Sequence, residues 1–74
     1  MRNMPITAAQ CRAARGLLSW SQGDLASAAA VSRNTIVGFE NETKVPHRNN
    51  LSAVQQALEA AGVEFTNGDQ PGVR

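Results

Sequence analysis

The segment QGDLASAAAVSRNTIVGFEN, running from Gln22 to Asn41, divides into two short amphipathic stretches separated by Ala30, Val31 and Ser32. Leu25, Ala28 and Ala29 are spaced to share one face of a helix, and Ile36 and Phe39 repeat that spacing in the second stretch. Val31 is placed to plug the junction, and Ala26 is small where two helices must cross closely. Ser21 and Ser32 stand where N-caps are needed, and Asp24 is favourable to the dipole of the first helix. This is the spacing of a helix-turn-helix, in which the second helix stands out from the body of the domain.

Working outward, Thr7 and Gln10 form a T-x-x-Q capping box, followed by Cys11, Ala14 and Leu18 at helical spacing. A first helix is therefore expected from about Ala8 to Leu18. Gly16 weakens it by roughly 0.5–1 kcal/mol relative to Ala, so it either admits another backbone or reflects low selection on stability. Trp20 precedes the Ser21 cap and is read as a hydrophobic staple to Leu25. Beyond Asn41, Glu42 to Val45 form a connection ended by Pro46, and Arg48, Asn49 and Asn50 lead into a fourth helix. Its buried stripe is Leu51, Val54, Leu58 and Ala61, and Gly62 stops it. The remainder, Val63-Glu64-Phe65, the turn-former Asn67-Gly68-Asp69, and Pro71-Gly72-Val73-Arg74, reads as a small hairpin or an extended arm. Either Phe65 and Val73 pack on the helices, or the strands pair with a second subunit; a frayed tail is the alternative. The fold class is thus all-α, four helices with a short C-terminal strand or hairpin, in one domain over 1–74, with the two-helix motif at 22–41 and the arm at 63–74.

Seventy-four residues permit one core, and a chain of this size buries only around 60% of its unfolded surface, which favours self-association. No apolar run reaches the length of a membrane span, and MRNMPIT lacks the hydrophobic stretch of a secretory signal, so a cytoplasmic location is expected. One cysteine and one histidine leave no internal disulfide and no zinc set, and Cys11 falls on an apolar face as a small core residue. No metal, cofactor or small-molecule ligand is indicated. There is no His-carboxylate-nucleophile set and no phosphate-cradling glycine loop, so catalysis is not expected. The net charge of +1 is uneven: residues 1–48 sum to +3 and residues 49–74 to −2. The positive part is the one suited to a nucleic acid.

With these pieces assembled, the chain resembles the Cro/phage-repressor type of helix-turn-helix regulator, the XRE family, over nearly its whole length. The resemblance rests on the Arg15 to Leu18 end of helix 1, Trp20-Ser21-Gln22, Leu25-Ala26, Val31-Ser32-Arg33, Phe39-Glu40, Pro46 and Ala61-Gly62-Val63-Glu64-Phe65. The last phrase is similar to a subgroup of small bacterial regulators that end soon after helix 4. The resemblance implies a four-helix lambda-repressor-like domain acting in transcription regulation. It also implies a structural ion pair between Arg15 and Glu40, and glycine where this chain has Ser19, Ala30 and Glu42, because backbone there adopts positive φ. Helix 3 would enter a major groove about 12 Å wide. Arg33, Asn34 and Thr35 would then approach base edges, with Val37 and Gly38 on the same outward side. Gln22, Ser32, Asn41, Lys44 and Arg48 would hold backbone phosphates, with His47 a weaker candidate. One such motif reads few base pairs, so a homodimer on an inverted-repeat operator is expected, joined through helix 4 and the following strand by Leu58, Val63 and Phe65.

Two rival readings differ in class. A protein-interaction module, an antitoxin or antiactivator on the same scaffold, would use a regulatory protein partner, although the tail of roughly ten residues is short for wrapping a toxin. An enzyme is disfavoured by the inventory above; Ser32 is accounted for as a cap.

Overall fold

The computed structural model describes residues 6–66 and 72–74. The expected turn at Asn67-Gly68-Asp69, Pro71, and the N-terminal Met1 to Pro5 lie outside the described residues. The described residues form four helices, α1 (Ala8–Leu18), α2 (Gln22–Ala29), α3 (Arg33–Glu40) and α4 (Arg48–Ala60), followed by two short strands, β1 (Phe65–Thr66) and β2 (Gly72–Val73).

Local chemistry sets the helix starts. The Thr7 hydroxyl accepts from the Gln10 backbone N–H at 3.1 Å while the Gln10 side chain accepts from the Thr7 N–H at 2.9 Å, a reciprocal capping box. Ser21 and Asp24 repeat it at α2, each bond at 3.0 Å, and Ser32 caps α3 through the Thr35 N–H. Only α4 begins without a side-chain cap: His47 stands at its N-cap position and makes no such bond. Helix 4 also starts at Arg48, so Asn49 and Asn50 belong to its first turn rather than leading into it.

All four helices end in the same way. Trp20, Val31, Thr43 and Val63 each donate a backbone N–H to the carbonyl five residues earlier, those of Arg15, Ala26, Gly38 and Leu58, at 2.9–3.1 Å. The preceding residue has positive φ in each case: Ser19 (58°), Ala30 (59°), Glu42 (61°) and Gly62 (108°). These are Schellman closures, which satisfy orphan carbonyls through a left-handed residue. The family-like expectation of positive φ at Ser19, Ala30 and Glu42 is met, and three of the four closures are made without glycine.

The core is drawn from every helix. Cys11, Ala14, Leu25, Ile36, Val54 and Leu58 are buried, together with Ile6, Ala26, Ala29 and Val63. Helix α2 packs against both α3 and α4, and α1 packs against α3. Trp20, Val31, Phe39 and Leu51 are half-buried around this centre. Ala28, expected to face inward, is exposed; the inward face of α2 is Leu25, Ala26 and Ala29. No atom lies close enough to Gly16 for its lost side chain to matter, so it admits no neighbouring backbone.

The tail is a hairpin formed within one chain. Phe65 pairs with Val73 and Thr66 with Gly72 in antiparallel register, and both Phe65 and Val73 pack on the core. Buried Gln10 ties it to α1, its side-chain amide donating to the carbonyl of Gly72 at 3.0 Å and reaching that of Thr66 at 3.5 Å. Leu58 and Val63, expected at a dimer contact, are 0% and 5% exposed. Their side chains belong to the chain's own core and have no surface to offer a partner; of that trio only half-buried Phe65 retains any. Among the described residues no helix is long and apolar enough to cross a membrane.

Candidate nucleic-acid interface

The site is built around the far end of α3. Glu40 is 3% exposed, and a buried carboxylate is costly unless each oxygen finds donors. Arg15 supplies a fork, Nε to Oε2 and Nη2 to Oε1, both at 2.7 Å. Gln22 donates its amide to Oε1 at 3.1 Å and Cys11 its thiol to Oε2 at 3.2 Å. Arg15 also donates to the carbonyl of Trp20 at 3.0 Å, and Arg12 donates to the backbone carbonyl of Glu40. One side chain thus ties α1, the start of α2 and the end of α3 together.

The electrostatics follow from this arrangement. Burial pushes the Glu40 carboxyl upward, but the bonds from Arg15, Cys11 and Gln22 outweigh it and hold its pKa below the ordinary carboxylate value. Arg15 is held more firmly protonated by its bond to Glu40. Burial, reinforced by the bond to Glu40, pushes the Cys11 thiol up to about 12. Cys11 is therefore an inert core donor rather than a nucleophile.

With its inner side fixed by Ile36 and Glu40, α3 presents its leading residues outward. Arg33 and Asn34 are exposed, and Thr35 and Val37 are partly so. The Thr35 and Ser32 hydroxyls are 2.8 Å apart, so the first turn of α3 is ordered by its own side chains. Asn41, Lys44, His47 and Arg48 are exposed along the connection to α4. Among the described residues Arg33, Lys44 and Arg48 have no carboxylate partner; the ion pairs are Arg15–Glu40 and the exposed Arg74–Glu64. No family model matches the chain, and no curated protein matches it.

One expected site residue stands differently, and a second makes a bond that was not anticipated. Gly38 was placed on the open face of α3, but it is buried, because the stem of Lys44 lies over it. Its backbone is not available to a base edge. Gln22, read as a phosphate holder, spends one amide hydrogen on Glu40 and stands at the start of α2 as a brace between helices. The sequence reading missed the roles of Cys11 and Arg12 at Glu40. Their spacing was the available signal: Cys11 lies four residues before Arg15 and Arg12 three before it, so all three share the side of α1 that meets α3. Among the described residues no group of His, Cys, Asp and Glu could hold a metal ion.

Proposed function

We propose that this protein is a sequence-specific double-stranded DNA-binding regulator of the Cro/phage-repressor type, with α2 and α3 as its helix-turn-helix and α3 as the reading helix. One observation carries the reading: Arg33 and Asn34 stand exposed on the leading turn of a helix whose other side is locked by buried Ile36 and by Glu40 in its hydrogen-bonded clasp. A rigid helix with free, flat hydrogen-bonding side chains at its leading end suits the pattern of donors and acceptors in a major groove. Arg33 has the fork for guanine and Asn34 the amide for adenine, while the methyl groups of Thr35 and Val37 suit thymine. Lys44 and Arg48, without a carboxylate partner among the described residues, and the exposed Asn41 and Ser32 flank this face and suit phosphates, which set register without reading sequence.

The protein is proposed to act as a homodimer across an inverted repeat with half-sites about one helical turn apart. Its contact surface excludes the buried Leu58 and Val63. Selection of bound duplexes from a random pool tests the whole reading. Enrichment of a two-fold symmetric site, lost with Arg33→Ala, is expected. Recovery of no enriched sequence from a folded protein would overturn it and return the choice to a protein-interaction module.

A further inference from the structure

Gly38 occupies an outward position on α3. At 3.6 residues per turn it lies roughly 200° round the helix from Ile36, with Asn34 one turn before it and Val37 adjacent. A position opposite the core is normally solvated, yet Gly38 is buried. The nearest atoms over it belong to one side chain, that of Lys44. A Cβ added at Gly38 would fall 2.9 Å from Cδ of Lys44 and 3.1 Å from both Cβ and Cγ, distances at which the lysine stem must move. The backbone fixes the same contact. The Gly38 carbonyl accepts from the N–H groups of Thr43 and Lys44 at 3.0 and 3.2 Å, with the Thr43 hydroxyl at 3.4 Å. Glu42, in its left-handed conformation (φ 61°), turns the chain back to make this possible.

We infer that Gly38 is a seat for the stem of Lys44, and that by holding this stem across the outer surface of α3 it positions the Lys44 ammonium for a DNA phosphate beside the reading residues. The inference rests on the DNA-binding reading and goes beyond it: a residue with no side chain determines where a cation on another element acts. A lysine is long and flexible, so holding it in one place on binding normally costs entropy. Here the stem already lies on the helix, and because Lys44 has no carboxylate partner among the described residues, its charge remains available. Gly38 is in this sense a positioning residue.

The experiment is the salt dependence of duplex binding by the full chain, using both the enriched site and a random-sequence duplex. Each phosphate contact contributes about 0.9 to the slope of log K against log salt. Lys44→Met, which keeps a stem and removes the charge, is expected to lower the slope by about that amount per subunit on both duplexes. Gly38→Ala removes no charge, yet it is expected to lower the slope equally, and Gly38→Ala with Lys44→Met to lower it no further. A parental slope in Gly38→Ala, or a loss in the double variant that adds, overturns the seat. A parental slope in Lys44→Met overturns the phosphate contact while leaving the DNA reading intact. No binding by the unaltered protein to either duplex is failure of the reading itself. Should Gly38→Ala not fold, Gly38→Ala with Lys44→Gly removes the three Lys44 atoms nearest the new Cβ. It is expected to fold and to show the lowered slope; failure to recover a folded protein counts against the seat.

Discussion

Glu40 accepts four side-chain bonds from three residues, two from Arg15 and one each from Gln22 and Cys11. A neutral amide cannot replace it, because one of its two heads is a donor and would face the donors of Arg15 or Gln22. Glu40→Gln leaves the Arg15 guanidinium without its counter-charge, and breaking a pair buried to this degree costs about 3 kcal/mol. A clearly lowered urea midpoint with loosened α3 is the expected result, and a variant that melts like the parent would contradict it. Among the described residues Arg33 makes no comparable bond, so Arg33→Ala is expected to leave melting unchanged. It should instead weaken the enriched DNA site by about 1–3 kcal/mol, and relax preference at one base pair, in a binding titration. At this scale the sequence was partly legible. The Arg15–Glu40 pairing followed from the resemblance, whereas the burial of outward-placed Gly38 did not show, because helical phase describes only α3 and the cover arrives from a loop six residues later.

The helix ends were more legible than the faces. Thr7 with Gln10, Ser21 with Asp24, and Ser32 are local devices, and each acts on backbone within three residues of itself. The inward face of α2 was not, because LASAAA offers a small apolar residue in almost every direction and the packing of α3 and α4 makes the choice. Burial of Leu58 followed from its place on the stripe of α4, whereas that of Val63, beyond the helix, was a property of the assembled helices; an apolar residue there reads the same in sequence whether it faces a core or a partner. The Schellman closures yield a prediction for the elements. Ala30 ends α2 with φ 59°, and a non-glycine residue in that conformation costs of order 1 kcal/mol. Ala30→Gly is expected to raise the melting temperature by roughly 4–8 °C for a domain of this size, as calorimetry would register. A fall would mean that glycine's greater freedom in the unfolded chain outweighs the relief of the left-handed backbone.

For the whole molecule, stability should be flat near neutrality and decline on both sides. The Glu40 pKa is held below its unfolded value, so its contribution is complete above the ordinary carboxylate pKa of about 4.3 and is lost as pH falls through the lower folded value. The Cys11 pKa is raised, to about 12. Its contribution is complete below the ordinary thiol pKa of about 8.5 and is lost as pH rises toward the folded value. Denaturant midpoints measured across pH should show both declines, and Glu40→Gln should flatten the acid one. An acid limb unchanged in that variant would place the proton uptake elsewhere.

The sequence contains one cysteine, and it is 0% exposed. A thiol reagent can modify it only in molecules whose interior has parted, so the alkylation rate of unmodified protein becomes a clock for opening events, readable by mass alone. Because the sulfur sits where α1 meets Glu40, any bound molecule that tightens this junction should slow that clock, whatever the bound molecule is.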